Sequence, residues 1–396
     1  MRAALEYTQL YGGAKNLREY DIVFSGNTRG DDNDLGTGFY TIKLNSPLPS
    51  LTRGDIRINT VTPRAVTLLP ASAAAAGNSL FPLPLTNREV GGVSSSMFTV
   101  GDNRNLYFGG DYGRNLNVEI NGFSFVRNRA QGGNGNAQNF GDGDVKANGG
   151  GGGGGLGAGG AITFLDGTLK ITNSVFQDLD AKAGSGANFA RGGNGSDMKG
   201  SVVKQRNSDG LDGSNGGISS IPTGRNFSGV MSYLPGYASI GGSGGNKGGE
   251  YGFVSNFNPY SGPFDGKNGN PATNLGPRGA NWFGFGGGGG GGGGGRGRYS
   301  EFRITYGKPG EGGAGAPGGK FGGRGGQGGR GGSPNPSPGV NAEEGFAIGG
   351  AIATLSNGPN KFNPQRLVLE GVDFYSVTAT ASNPNRIIGS IVAGPR

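Results

Sequence analysis

Seven consecutive glycines, Gly149–Gly155, and ten more, Gly286–Gly295, rule out most ways of folding this chain. Glycine brings no side chain to a core and loses more backbone entropy on ordering than any other residue. With 91 glycines among 396 residues and only 33% hydrophobic residues, a large round core is not expected. A thin core repeated along an axis needs few apolar residues per repeat. The glycine tracts then either stay as disordered linker or pack backbone against backbone.

Beside the tracts stand short segments with a strand's periodicity. Three of them align on a phenylalanine: "NVEINGFSF" ends at Phe125, "TLKITNSVF" at Phe176 and "RLVLEGVDF" at Phe374. Seven residues earlier stand Val118, Leu169 and Leu367. Five earlier stand Ile120, Ile171 and Leu369, and three earlier Gly122, Asn173 and Gly371. Alternation buries one face of a strand. Gly or Asn then supplies a corner, because both tolerate left-handed backbone angles. The Phe re-enters the core on the next strand. "GGAITFL", "GGAIATL" and "SMFTV" precede the three, and "GFYTIKL", "DIRINTV" and "RAVTLLP" read as further short strands. The only helix-permissive stretch singled out is "ASAAAAG", too short to stand alone. The expected fold is all-β: a solenoid in which any coil can eject a long insertion and resume after it.

Here the segments resemble a known group. Gly159-Gly160-Ala161-Ile162 with Phe176, Gly349-Gly350-Ala351-Ile352 with Phe374, and the full Phe-x-x-Asn of Phe125 to Asn128 are similar to repeats of bacterial polymorphic outer-membrane proteins. At the Asn place Phe176 and Phe374 are followed by Leu179 and Val377. The opening "DIVFSGN…GFYTIKLNSPLPSLTRGDIRIN" is similar to the first coils of secreted pectate-lyase-like proteins. The resemblance spans about residues 20–183 and 345–381 and implies a right-handed parallel β-helix. It speaks for fold and not for activity. The expected organisation is a cap or arm at 1–20, coils at 21–183 with a glycine-rich loop at 131–158, an insertion at 184–344, a returning coil at 345–381 and a C-terminal strand at 382–396.

Within the insertion, Gly307, Gly310, Gly313, Gly319, Gly322, Gly325, Gly328 and Gly331 keep one phase of three, broken at Ala316. Three is the period of a polyproline-II-type helix, but the prolines collagen requires are few. The expected form is polyglycine II, extended helices bonded side by side; 307–332 would run about 80 Å at roughly 3.1 Å per residue.

Composition excludes several chemistries. With no Cys and no His, the chain has no disulfide, thiolate, His-ligated zinc or His-dependent triad. A net charge of +8 is mild; it reads first as a basic surface that keeps the protein soluble, and otherwise favours acidic surfaces such as polysaccharide or nucleic acid. The RGG-like Arg296, Arg324 and Arg330 stand without an RNA-binding module, so nucleic acid is the less supported partner. No apolar run is long enough to span a bilayer. The opening "MRAALEYTQLYGG" shows no hydrophobic signal region, which leaves processing, unmarked export or an intracellular location open.

No catalytic residue and no cofactor are assigned. Asp31 with Asp32, Asp142 with Asp144, and Asp178 with Asp180 are carboxylate pairs, read as solvated unless a partner is found. Asp142, Asp144 and Asp197 are weak calcium candidates; "GGNGSDMKG" approaches a calcium-binding nonapeptide but has Lys199 at its large apolar place. Tyr233, Tyr237, Tyr251, Tyr260 and Trp282 are candidate glycan-stacking residues, or else clamps that hold glycine tracts to the β flank. Ile387, Ile388, Ile391 and Val392 in "NRIIGSIVAGPR" are candidate assembly residues. The expected function is a non-enzymatic extracellular or cell-surface structural protein that assembles with itself into a layer, filament or matrix. A glycan-binding adhesin and a polysaccharide lyase or hydrolase are the alternatives.

Overall fold

In the computed structural model the chain is mostly β, and its principal sheets are parallel. It describes residues 1–11, 19–24, 40–44, 47–70, 95–101, 116–135, 152–187, 220, 299–300, 305–306, 321–325, 341–355 and 365–393. One α-helix, α1 (Arg2–Tyr11), precedes nineteen strands among the described residues.

Two five-stranded sheets carry the alternating segments. The first runs β1 (Glu19–Phe24), β3 (Asp55–Thr60), β6 (Asn117–Asn121), β10 (Thr168–Thr172), β16 (Arg366–Glu370). The second runs β2 (Tyr40–Leu44), β4 (Val66–Pro70), β7 (Phe123–Gln131), β11 (Val175–Lys182), β17 (Asp373–Thr380). A third holds β5 (Phe98–Val100), β9 (Ile162–Phe164), β15 (Ile352–Thr354) and β19 (Val392–Ala393). A fourth holds β8 (Gly157–Ala158), β14 (Ala347–Ile348) and β18 (Ile387–Ile388). From β8 onward the chain visits the fourth, third, first and second sheets in turn, then repeats that circuit. A small antiparallel pair, β12 (Tyr299–Ser300) with β13 (Thr305–Tyr306), lies within the insertion.

Register follows the sequence alignment. Val118, Leu169 and Leu367 are ladder partners, as are Ile120, Ile171 and Leu369. Phe125, Phe176 and Phe374 lie in register on the second sheet. Their rings stack at 4.7 and 5.2 Å between centroids. Val118, Ile120, Leu169, Ile171, Phe125 and Phe176 are buried in one apolar interior. The corner glycines and asparagine take positive φ, 81° at Gly122, 48° at Asn173 and 61° at Gly371.

A second corner was not expected. Arg127, Asp178 and Ser376 have φ of 54°, 51° and 49°, one kink per strand at the same step of the second sheet. It turns Asn128, Leu179 and Val377 to equivalent positions. Asn128 is buried and donates to the carbonyls of Ser95 and Gly160.

Beside the sheets lies a bundle of glycine segments. The stretch 152–157 bonds through its backbone to four other segments and to Ser220. Gly155 N–H donates to Gly133, and Gly155 O accepts from Gly184; Gly154 N–H donates to Glu343, and Gly154 O accepts from Gly323, all at 2.8–2.9 Å. A strand in a sheet has only two bonded neighbours. Four are reached here because no side chain intervenes: a Cβ on Gly154 would overlap the Gly184 carbonyl, and one on Gly153 the Gly323 carbonyl. The expected loop at 131–158 is therefore in part a buried bundle, and the described ends of the insertion join it.

Three more differences from expectation concern the ends. Arg2–Tyr11 is helical, with Leu5, Thr8 and Gln9 buried; three buried residues at helical spacing order it on the core rather than by propensity. Residues 382–396 were expected as one strand. They instead give a 3₁₀ turn at Pro384–Arg386 and two strands, β18 on β14 and β19 on β15. Gly389-Ser390-Ile391-Val392 thus repeats the Gly-Gly-Ala-Ile step, and Gly159, Gly349 and Gly389 share φ of 55–60°.

Candidate functional site

Of the residues singled out in the sequence, Asp31, Asp32, Asp142, Asp144, Asp197, Tyr233, Tyr237, Tyr251, Tyr260 and Trp282 lie outside the described residues. Asp178 and Asp180 are described, and the kink at Asp178 breaks the alternation that would have set them on one side. Asp180 is wholly buried. Its carboxylate accepts from Arg129 Nε at 2.9 Å and from the hydroxyls of Thr378 and Thr380 at 3.0–3.2 Å. It ties three neighbouring strands together, which is a structural task. Among the described residues no group of three carboxylates is placed to hold a metal ion.

The four assembly candidates fall on one surface. β16, β17, β18 and β19 are the last strands of their four sheets. Among the described residues nothing pairs with their outer edges. Among the described residues the surface is therefore the end of the stack, bounded by unpaired backbone groups. Its apolar residues are half covered where their predecessors are fully covered. Leu169, Ile171 and Phe176 are inaccessible, while Leu367, Leu369 and Phe374 are only partly buried. Tyr375 is 54% exposed and Ile391 41%, although Ala161 and Ala351 at the equivalent step of Ile391 are inaccessible.

The opposite end, where among the described residues β1 and β2 also have open outer edges and Ile22, Phe24, Tyr40 and Ile42 are partly buried, carries α1. α1 lays Leu5 and Met1 against the interior. Gln9 Oε1 accepts from Thr52 N–H at 2.8 Å and Thr52 Oγ1 at 3.0 Å, and Arg53 Nε donates to Gln9 O at 3.0 Å. Tyr7 meets Tyr20 of β1 edge to face at 6.4 Å. Among the described residues, one end of the stack has a helix packed on it and the other is bare of one.

Charge is ordered along the outer face of the first sheet. Asp21, Arg57, Glu119, Lys170 and Val368 are successive ladder partners. The signs alternate until the last position, which is apolar. Arg57 reaches Glu19 and Glu119 at 3.6 and 3.9 Å, and Lys170 reaches Glu119 and Glu370 at 3.8 and 3.2 Å. Each exposed pair is worth about 0–1 kcal/mol, so the ladder fixes register more than it stabilises. On β16, Arg366 and Glu370 are exposed at either end of the strand, with Leu367 and Leu369 turned inward. "RLVLE" gives the interior pattern from sequence alone, but the significance of its two charges depends on its being an edge.

A polar clasp joins the glycine bundle to this end. Glu343 pairs with Arg386 at 2.6 Å, and Glu344 accepts from the N–H groups of Ser382 and Asn383 at 2.7 and 3.0 Å. The Arg386 guanidinium lies 4.8 Å from the Phe346 ring centroid, and Phe346 meets Phe321 edge to face at 5.9 Å. Burial pushes the Glu343 carboxyl up. The hydrogen bond and charge of Arg386, with the Arg324 N–H and charge, outweigh it and hold the carboxyl below its ordinary 4.5. Within the described residues, then, Phe321 and Phe346 do the clamping expected of the aromatics at 230–285.

No family model, curated protein or solved structure matches the chain.

Proposed function

We propose that the chain is a non-enzymatic, extracellular structural protein that associates with itself through the bare end of a right-handed parallel β-helix. The cyclic visiting order of four parallel sheets supports the helix, and crossovers between parallel strands are right-handed in about 98% of cases. The flanking glycine bundle is read as polyglycine II, supported by a segment with four backbone-bonded neighbours where a strand has two.

The observation that carries the function is the end formed by β16, β17, β18 and β19. Among the described residues it presents four strand edges and partly covered Leu367, Leu369 and Phe374 with no element over them, whereas α1 packs Leu5 and bonds Gln9 at the other end. Such a surface invites strand addition. Asp180, from one of the candidate carboxylate pairs, has its oxygens engaged by Arg129, Thr378 and Thr380.

Sedimentation velocity of the full chain over a wide concentration range tests this reading. Concentration-dependent association is expected. A chain that stays monomeric throughout, or one that releases unsaturated or reducing sugar from acidic polysaccharides, would overturn it.

A further inference from the structure

Resting on that self-association reading, we propose that the partner on the bare end is a second copy, related by a two-fold axis through Val368, with β16 pairing antiparallel to its own mate. In a parallel ladder, alternate residues turn both N–H and C=O to the same side. Arg366 N–H donates to Gly167 of the preceding strand connection at 3.0 Å. Residues 366, 368 and 370 therefore bond inward to β10, while Leu367 and Leu369 offer theirs to the open edge.

Antiparallel pairing centred on Val368 uses those groups fully. Leu367 stands opposite Leu369 of the second copy, and the reverse, which joins the edges by about four backbone hydrogen bonds. Val368 faces its own counterpart as a non-hydrogen-bonded pair, the closer of the two side-chain spacings. Arg366 faces Glu370 twice, so each copy's exposed charges meet their opposites.

The same axis accounts for the break in the charge ladder. A residue on a two-fold meets itself, so any charge there would repel its own copy. Asp21, Arg57, Glu119 and Lys170 are all charged, and the one apolar residue in that file is Val368 at the terminal strand. Head-to-tail stacking, the other mode, would continue the parallel register and set Arg366 against Glu19, Val368 against Asp21 and Glu370 against Val23 of the next copy. It matches Arg366 with Glu19 but sets the Asp21 carboxylate beside a valine and leaves Glu370 without an opposite charge, and α1 stands beside β1.

The chain has no cysteine, so one introduced thiol reports on one position. Full-length Val368→Cys, oxidised gently at concentrations where the parent associates, is expected to give a covalent dimer in high yield. Lys170→Cys, one strand inside, is expected to remain largely uncross-linked. Charge reversal is the second arm. Arg366→Glu and Glu370→Arg each set like charges together and are expected to weaken association at least tenfold, while the double reversal restores it. Circular dichroism of each variant checks that the fold is retained. Association that survives Glu370→Arg, or is not restored by the double reversal, would overturn the two-fold arrangement. So would oligomers that fail to cross-link at 368. These results leave self-association itself standing, whereas a parent chain that is monomeric at every concentration removes both.

Discussion

At the residue scale the interior is a file of repeated choices. Phe125, Phe176 and Phe374 stack ring on ring, and the first two have no accessible surface. Phe176→Ala removes the middle ring with covering strands on both sides. A loss of about 3–5 kcal/mol is expected, the usual range for a buried Phe; Phe374→Ala, at the half-covered end, is expected to cost clearly less. Denaturant unfolding of the two variants checks the order, and equal losses would mean that the end is not open. This file was legible in the sequence because alternation and a Gly or Asn corner are local properties. The kink at Arg127, Asp178 and Ser376 was not. None of these types signals positive φ strongly enough to be read alone, and only the ladder imposes the angle on all three.

At the element scale, the glycine bundle and its clasp set the behaviour. Segments 132–135, 152–157, 183–187, 321–325 and 341–346 approach closely because their contact positions lack a Cβ. Gly154→Ala would drive a methyl into the Gly184 carbonyl. Faster hydrogen exchange is expected at the amides of Gly184 and Gly323, with the Leu169–Ile171 ladder unchanged; protected amides throughout would contradict the bundle.

The clasp adds a pH dependence. The Glu343 carboxyl titrates lower in the fold than its ordinary 4.5, so the unfolded chain binds the proton more readily. Its contribution is present above that value and is lost as pH falls through the lowered folded one. Exchange at residues 321–325 and 341–346 should therefore rise on acidification below about 4.5, and Glu343→Gln should remove that step. The period-three glycines pointed to backbone packing, but which segments bond to which depends on partners hundreds of residues apart. α1 escaped notice for a related reason: ten residues are too few to be helical on propensity, and the core orders them. The third Gly-x-x-apolar step at Gly389 was readable in principle from Ile388-Gly389 beside Ile348-Gly349, but Ser390 and Ile391 obscure it.

At the scale of the whole molecule, ends decide the assembly. In the proposed two-fold arrangement, with α1 standing beside β1, tail-to-tail joining stops at a pair. Deleting residues 2–11 removes the helix beside β1, so the truncated chain is expected to form species larger than the dimer by light scattering; a truncated chain that stops at the same size as the parent would mean that α1 does not limit growth. The sequence expectation of self-association through Ile387, Ile388, Ile391 and Val392 carries no stopping point, because that depends on α1 and on which charges lie at an edge. The stack itself is open to direct measurement. Asp21 and Val368 lie on the first and last strands of one sheet and in one file, four strand spacings apart. At roughly 4.8 Å per step their backbones are about 19 Å apart. Spin labels on cysteines at these two positions, diluted with unlabelled protein, should give a single narrow distance near that value once label length is allowed for. A broad distribution, or one centred several strand spacings away, would contradict the stack and the assembly built on it.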